Sequence, residues 1–246
     1  VFEVLHDPNV VISRRIENGE PLAYILGEWD FYGRTFSICP GVLVPRIDSE
    51  FVFQRALNAF LKSLNTNLKP SNADFRASNT FFNGSNARML DLCCGSGILG
   101  ITFALELGMR GFETEVFLGD VSETALDCAA QNVSRHGLKR AKVLNLDALR
   151  PAEESLGEFD VIICNPPYIP SDDIAGLDRE VKDFEPWLAL DGGNDGLRFY
   201  RAVSNGYYSA LAGGGLLVFE VGAGQGAAVA EIMERAGYKD VRFERD

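Results

Sequence analysis

The sequence lacks the features that mark several common protein classes. It has no apolar run long enough to span a bilayer and no recognisable signal peptide, so we expect neither a membrane protein nor a secreted one. Its two histidines, His6 and His136, lie outside the motifs that carry chemistry, and its five cysteines include no Cys-x-x-Cys pair. We therefore predict no metal site and no histidine-based acid–base chemistry, and we expect the thiols to be reduced.

Basic residues are also scarce. The chain has 23 Lys and Arg against 35 Asp and Glu, a formal net charge of −12, and its sequence pI is about 4.7. Proteins that bind nucleic acid phosphates normally present a basic surface, so this balance argues against direct contact with nucleic acid. It is compatible with a basic protein partner.

The first part of the chain is predicted to be an appendage to a larger domain. Residues 1–26 have helical patterning but too few apolar positions for a core of their own, and residues 27–45 predict a connecting β-hairpin around Gly33. A helix is predicted over 51–64, with Asp48 or Ser49 as its N-cap. Residues 65–86 are rich in Asn and Ser, which predicts a long flexible loop.

From residue 87 onward, short apolar runs alternate with segments of helical spacing. This alternation is typical of a doubly wound, mostly parallel α/β sheet. The predicted strands are 88–93, 115–119, 142–146, 159–164, 215–221 and 241–244. The predicted helices are 98–107, 123–136, 196–211 and 225–236.

The most informative stretch is the fourth of these strands and the four residues after it. The apolar run from Phe159 to Cys164 predicts a buried central strand, and Asn165-Pro166-Pro167-Tyr168 follows directly, where open α/β sheets bind their ligands. The prolines fix φ and carry no N–H, which leaves rigid carbonyl acceptors, while the asparagine adds an amide acceptor and the tyrosine a flat ring. This combination predicts a receptor for a planar group with an NH2, although a proline-rich turn that only ends the strand has the same local pattern.

A second motif, Asp91-Leu-Cys93-Cys94-Gly95-Ser96-Gly97, joins the first predicted strand to a helix. Its glycines allow a tight turn and bring the N–H groups of the helix to a carboxylate or phosphate. Asp120, which ends the second strand, is placed to accept hydrogen bonds from ribose hydroxyls, and Asp147 ends the third strand where an adenine ring would lie. These features predict a cofactor that contains a nucleoside.

Two such cofactors have to be compared, because Gly95-x-Gly97-x-x-Gly100 is also the formal fingerprint of dinucleotide binding. Asp91 stands inside the strand ahead of the glycines, which suits a cationic ammonium better than a pyrophosphate. A receptor for NH2 at Asn165 has no use in hydride transfer. Both features favour S-adenosylmethionine over NAD, with S-adenosylhomocysteine as the product.

Six blocks occur in a characteristic order along nearly the whole chain: Gly-Glu-Pro-Leu-Ala-Tyr-Ile-Leu-Gly (19–27), Val-Pro-Arg-Ile-Asp-Ser-Glu (44–50), Asp-Leu-Cys-Cys-Gly-Ser-Gly (91–97), Asn-Pro-Pro-Tyr (165–168), Phe-Glu-Pro (184–186) and Asp-Gly-Leu-Arg-Phe-Tyr (195–200). On these blocks the sequence resembles the HemK/PrmC family of protein-(glutamine) methyltransferases, which modify the Gly-Gly-Gln glutamine of peptide chain release factors. The departures are Cys93-Cys94, Ile47 and the long 65–86 loop. None of them removes a group that methyl transfer needs.

The resemblance implies a domain organisation. Residues 46–246 would form a seven-stranded, mostly parallel class I methyltransferase sheet, and residues 1–26 would be the end of an N-terminal helical substrate-recognition domain. Further chain would precede Val1, and a last strand would follow Asp246 and pair between the 215–221 and 241–244 strands.

The resemblance also implies roles for individual residues. Asn165 and the Pro166 carbonyl would orient the target amide, with Pro167 and Tyr168 packed beside it. Arg46 and Glu50 would border the substrate site, although a structural salt bridge is an equal alternative for them. The implied cofactor-binding residues are Asp91, Cys93, Cys94, Gly95, Ser96, Gly97, Asp120, Asp147, Ala148 and Asn165.

Other functions remain open at this level. A sister enzyme that methylates a ribosomal large-subunit protein shares most blocks, an adenine amino-methyltransferase would also use Asn-Pro-Pro-Tyr, and a non-catalytic cofactor-binding scaffold or an NAD oxidoreductase are further alternatives. The blocks at 46–50 and 195–200 favour release factors as substrates. We expect a cytoplasmic monomer, or a mitochondrial-matrix or plastid enzyme if it is nuclear-encoded.

Overall fold

The computed structural model describes residues 8–66 and 86–244. The strands, in chain order, are β1 (Glu28–Phe31), β2 (Arg34–Ser37), β3 (Asn86–Leu92), β4 (Glu113–Asp120), β5 (Ala141–Asn145), β6 (Phe159–Cys164) and β7 (Leu211–Phe219). The α-helices are α1 (Pro8–Ile12), α2 (Leu22–Leu26), α3 (Asp48–Thr66), α4 (Ile98–Gly108), α5 (Glu123–Arg135), α6 (Arg179–Lys182), α7 (Trp187–Leu190), α8 (Arg198–Gly206) and α9 (Gly226–Arg235). No helix in these ranges is long and apolar enough to cross a membrane.

The main sheet has the order β5-β4-β3-β6-β7, and all its pairings are parallel. The chain runs outward from β3 to β5 and then returns to place β6 on the other side of β3. This reversal of strand order opens a crevice beyond the carboxyl ends of β3 and β6, where α/β sheets bind ligands. The predicted α/β fold with a doubly wound parallel sheet is confirmed.

β6 is buried because helices cover both faces of the sheet. Val161 and Ile163 point into the cluster that includes residues of α3 and α4, whereas Ile162 and Cys164 point into the one that includes residues of α8. Alternate residues of a strand face opposite sides, so an uninterrupted apolar run is what a two-sided core requires. The bounds of β6 agree with those predicted.

The strand predicted at 241–244 is wrong. These residues are outside the sheet, and Glu244 forms an ion pair with Arg55 on α3, while Phe243 packs over Gly226 at the start of α9. Alternating apolar residues form a strand only where a neighbouring backbone can pair with them, and among the described residues none does. The helix predicted over 196–211 also ends early, at Gly206, because β7 already begins at Leu211.

The predicted hairpin is present as β1 and β2, which turn at Tyr32 and Gly33 with φ of +48° and +70°. Most of the predicted 65–86 loop lies outside the described residues. The N-cap prediction is wrong, because α3 begins at Asp48 and both Asp48 and Ser49 lie in its first turn.

A buried amide on α5 contributes to holding the hairpin against the main sheet. The Asn132 side chain accepts the Ser37 N–H at 2.7 Å and donates to the carbonyl oxygens of Ser37 and Ser96, both at 2.9 Å. Ser37 ends β2, and Ser96 belongs to the glycine-rich motif. The hairpin and the predicted cofactor loop are therefore joined through a single residue of α5.

Candidate active site

A cleft of about 340 Å3 lies beyond the carboxyl ends of the central strands. Of the residues implied by the sequence, the structure brings together along its wall Cys93, Cys94, Gly95, Ser96, Asp120, Asp147, Ala148, Asn165 and Pro167. Six others are not part of this wall: Arg46, Glu50, Asp91, Gly97, Pro166 and Tyr168. The two sequence motifs therefore meet at one place, although they are far apart along the chain.

The glycine-rich loop is held by backbone hydrogen bonds. The Cys94 N–H donates to the Gly119 carbonyl at 3.0 Å, and the Gly97 N–H donates to the Cys94 carbonyl at 2.8 Å. Gly97 has φ of +75° at the start of α4, a conformation that disfavours other residues. At Gly100 a side chain would overlap Leu118 and Asp91, with its Cβ 2.7 and 2.9 Å from their atoms. These glycines let α4 begin directly against the sheet.

Asp91 is almost fully buried behind this loop rather than on the cleft wall. One of its carboxylate oxygens accepts the Gly100 N–H at 2.8 Å, and the other has no hydrogen-bond partner in the structure. Burial raises the pKa of this carboxyl to about 8, against the lowering effect of the Gly100 hydrogen bond. Asp91 thus anchors the start of α4, and its direct contact with a cofactor stays a prediction.

Asp120 and Asp147 stand side by side on the wall of the cleft. The Asp120 carboxylate accepts the N–H of Gly95 at 3.0 Å and that of Ser122 at 2.9 Å. It therefore connects the loop that follows β3 with the loop that follows β4. Asp147 accepts the N–H of Leu149 at 2.9 Å. Each carboxylate oxygen has more than one lone pair, which leaves acceptor capacity for a ligand.

The cleft fits a nucleoside cofactor in two respects. Apolar side chains also line the cleft, and they offer a face for a flat base: Leu99, Val121, Leu146, Leu149 and Phe199. In the strand order, Asn165 after β6 lies at the other end from Asp120 and Asp147, and the glycine-rich loop after β3 lies between them. Within the described residues, no group of three or more His, Cys, Asp or Glu is placed to hold a metal ion.

Asn165 carries the least satisfied polar atom of the cleft wall. Its Oδ1 is buried and has no hydrogen-bond partner in the structure, although the residue lines the cleft. A buried acceptor without a partner costs free energy, so such an atom in a cleft calls for a donor from a ligand. Pro166 and Pro167 follow it, both buried, and they fix the backbone beyond the strand.

Tyr168 is clamped through its backbone. Its carbonyl oxygen accepts the Nε2–H of Gln225 at 2.9 Å, and the Cα positions of Gly192 and Gly196 approach so closely that a Cβ on either would overlap Tyr168. The ring packs on Gly222, and its burial raises the pKa of the phenol to about 12. This contact accounts for the glycines around the 195–200 block, and the packing of the ring on a substrate amide stays a prediction.

Arg46 and Glu50 both have partners within the protein, and their place at the border of the substrate site stays a prediction. The Arg46 guanidinium binds both oxygens of Glu185 at 2.7 and 2.8 Å, and the Glu185 side chain is fully buried. Burial raises the pKa of Glu185, and Arg46 opposes that rise. Glu50 accepts the Tyr32 N–H at 2.8 Å and so ties α3 to the hairpin. The blocks at 44–50 and 184–186 are thus joined by an ion pair.

Some residues of the site were missed by sequence reasoning. Trp187 and Leu188 lie on the cleft wall and are 57% and 53% exposed, and they directly follow the 184–186 block, which was a usable signal. Glu220, at the end of β7, is buried beside Asn165. No local pattern singles out Glu220, because its importance depends on which strand lies next to β6.

Comparisons with known proteins agree with this geometry. Residues 77–176 match the family model described as methyltransferase small domain. The chain is 36% identical to a release factor glutamine methyltransferase of Clostridium botulinum over 94% of its length and 73% of that protein's. It is 33% identical to the enzyme of that name from Thermodesulfovibrio yellowstonii, over 99% and 78% of the two lengths. A solved structure of the hMettl16 catalytic domain shares the fold at a TM-score of 0.56 and 14% identity, over 94% of this chain and 74% of that one.

Proposed function

Because the chain belongs to the family of release factor glutamine methyltransferases, we propose that it transfers a methyl group from S-adenosylmethionine to the side-chain amide nitrogen of the Gly-Gly-Gln glutamine of peptide chain release factors. One observation carries the site assignment. The buried Oδ1 of Asn165 lacks a partner at the wall of a cleft whose other end fits a nucleoside. The amide of a glutamine side chain supplies the N–H donor that this oxygen lacks.

Each part of the site has a role in this proposal. The loop from Cys93 to Gly97 holds the methionine part of the cofactor, with Asp91 behind it. Asp120 accepts the ribose hydroxyls, and Asp147 and Ala148 border the adenine. When bound, the cofactor supplies an electrophilic methyl group on a sulfonium.

The chain's task is to make an amide nitrogen nucleophilic. The lone pair of an amide is delocalised into its carbonyl group. We propose that Asn165 Oδ1 and the Pro166 carbonyl accept the two N–H groups, which returns electron density to nitrogen and aims its lone pair at the methyl group. Positioning of this kind supplies much of the barrier reduction. The substrate nitrogen would gain the methyl group in place of one of its two protons, which would pass to solvent once the product is formed. The sulfonium loses its charge during transfer, so exclusion of water from the cleft during that step also favours the reaction.

The acceptor is proposed to be a protein, with no direct contact to nucleic acid. A net charge of −12 repels phosphate and favours a basic partner. We propose that the chain acts as a monomer. We also place it where its substrate works, in the cytoplasm or in an organelle that translates.

The acceptor can be tested directly with labelled S-adenosylmethionine. A release factor should take up label, and the same factor with its Gly-Gly-Gln glutamine changed to Ala should take up none. A ribosomal large-subunit protein and an adenine-containing oligonucleotide serve as rival acceptors. Faster labelling of either rival, or labelling of the glutamine-free factor, would show that the proposed substrate is wrong.

Asp120→Ala is expected to weaken binding of S-adenosylmethionine by about 10- to 100-fold. Each hydrogen bond from a ribose hydroxyl to a carboxylate is worth about 1.5–3 kcal/mol. The loss includes the support that Asp120 gives to the N–H groups of Gly95 and Ser122. Calorimetric titration measures the affinity. Asp127→Ala, an exposed aspartate on α5, is the matched control, and equal affinity of the two variants would remove Asp120 from the site.

A further inference from the structure

Glu220 is fixed on several sides beside the proposed catalytic asparagine. It follows β7 directly, and its N–H donates to the carbonyl of Cys164, the residue before Asn165, at 3.0 Å. Its side chain accepts the Ser49 hydroxyl at 2.6 Å, and its backbone carbonyl accepts the Tyr200 hydroxyl at 3.0 Å. The residue is 7% exposed. Burial of an ionised carboxylate costs free energy, which favours a specific role for Glu220 at this position.

The hydrogen bond between Asn165 and Glu220 decides which way the asparagine amide faces. Asn165 and Glu220 directly follow Cys164 and Phe219, which pair across β6 and β7, so the two side chains start from neighbouring strand ends. A side-chain hydrogen bond from Asn165 lowers the pKa of the Glu220 carboxyl. An ionised carboxylate can only accept, so it takes the NH2 end of the amide, and Oδ1 must face away from it. This agrees with an Oδ1 that has no protein partner. If the amide were turned over, the cleft would present a donor instead of an acceptor.

We propose that Glu220 is a positioning residue for methyl transfer: its carboxylate, held by Ser49, keeps the Asn165 amide turned so that Oδ1 accepts an N–H of the substrate amide. The inference rests on the proposed function of Asn165. It also explains why the first turn of α3 carries a buried serine, since the Ser49 hydroxyl donates across the site and does not cap the helix. Glu220 itself need not touch the substrate.

The proposal has a consequence for pH. Burial raises the pKa of Glu220, and hydrogen bonds from Ser49 and Asn165 lower it. Asp48 also raises this pKa and Arg46 lowers it. Tyr168 and Tyr200 face Glu220 from the other packed segments; burial raises their own pKa values, and the charge of Glu220 raises them further. As the pH falls through this pKa, the carboxyl gains a proton and, like a glutamine amide, can then either accept from the Asn165 NH2 or donate to Asn165 Oδ1. The cleft then presents Oδ1 for only part of the time, so transfer should decrease on the acid side to about the level expected of a Glu220→Gln variant.

The test compares Glu220→Ala with Glu220→Gln. Alanine removes the acceptor, and kcat should fall by about 100-fold with S-adenosylmethionine affinity unchanged, because a misplaced reacting group costs about that much. A glutamine at this position can accept a hydrogen bond from the Asn165 NH2 through its oxygen. Its own NH2 can donate to Ser49, because a hydroxyl can accept as well as donate. We therefore expect kcat to recover to within about threefold of the wild type. The Gln variant should also lose the acid-side decrease that Glu220 causes. Glu158→Ala, an exposed glutamate before β6, is the control.

A second readout needs no release factor. The Asn165 side-chain NH2 signal in a ¹⁵N spectrum is identified as the one missing in Asn165→Ala. It should titrate with pH in the wild type and stop doing so in Glu220→Gln. If this signal behaves as expected but no factor is methylated, the proposed function fails and the positioning role stands. Three results would overturn the positioning role. One is a wild-type kcat in Glu220→Ala, and another is a folded Glu220→Gln variant that is as inactive as the Ala variant. The third is an Asn165 NH2 signal that changes neither with pH nor in the Glu220→Gln variant.

Discussion

Asn165→Ala is expected to lower methyl transfer by about 1000-fold while the affinity for S-adenosylmethionine changes by no more than about twofold. In the proposed mechanism the asparagine holds the nucleophile and meets only the edge of the cofactor. Without its Oδ1, the substrate amide can rotate so that its lone pair no longer points at the methyl group. A displacement of about 1 Å costs on the order of 100-fold, and loss of an oriented hydrogen bond adds to that.

Single-turnover rates with saturating cofactor measure this effect, and calorimetry measures the affinity. Asn205→Ala, an exposed asparagine on α8, is the matched control for removal of an amide. Asn165→Asp is informative as well, because it keeps an acceptor but places a second carboxyl beside Glu220. A normal rate in Asn165→Ala would show that the amide of this residue does not hold the substrate.

Gly196→Ala is expected to reduce kcat by about 100-fold through the backbone of Tyr168. Gly196 has φ of +70°, and a Cβ there would overlap the Tyr168 carbonyl oxygen and approach Gln225 Nε2 to 2.5 Å. Neither a rotamer change nor a small shift of one side chain relieves a clash with backbone. The backbone of Tyr168 and that of the 191–196 loop must therefore move apart, which removes the present support of the Asn165–Tyr168 segment.

The control for Gly196→Ala is Gly137→Ala. Gly137 has φ of +65°, but a Cβ there would meet nothing within 4 Å. Both substitutions impose the left-handed cost of about 1–2 kcal/mol on the free energy of unfolding, and only one disturbs Tyr168. Denaturant unfolding and kcat should be measured for both. Equal kcat values would mean that the 191–196 loop does not position the catalytic segment.

Local signals explain which parts of the site could be predicted. β6 was predicted with its correct bounds because its β-branched apolar run is followed closely by two prolines. The glycine-rich loop was predicted because a strand, a turn and a helix follow one another within a short stretch of sequence. The strand at 241–244 was predicted wrongly because an alternating pattern says nothing about whether a neighbour is there to pair with. A pattern of residues describes a segment, whereas a strand is a property of two segments.

Contacts between distant segments could not be predicted in the same way. The sequence left Arg46 and Glu50 open between the border of the substrate site and a structural salt bridge, and it did not identify their partners in the structure, Glu185 and Tyr32. Glu220 was missed because its role exists only once β7 lies beside β6. None of these side chains stands out in its local sequence, because the partners that determine its role come from distant segments that only the fold places beside it.

The hydrogen bond between Ser49 and Glu220 joins residues 171 positions apart, and this separation determines when the site can form during folding. Contacts that close long stretches of chain are made late, after local helices have appeared. Asn165 cannot be oriented until β7, near the end of the described chain, has docked beside β6. During refolding we therefore expect helical circular dichroism to recover before methyl-transfer activity, and during synthesis we expect no activity until β7 has emerged from the ribosome.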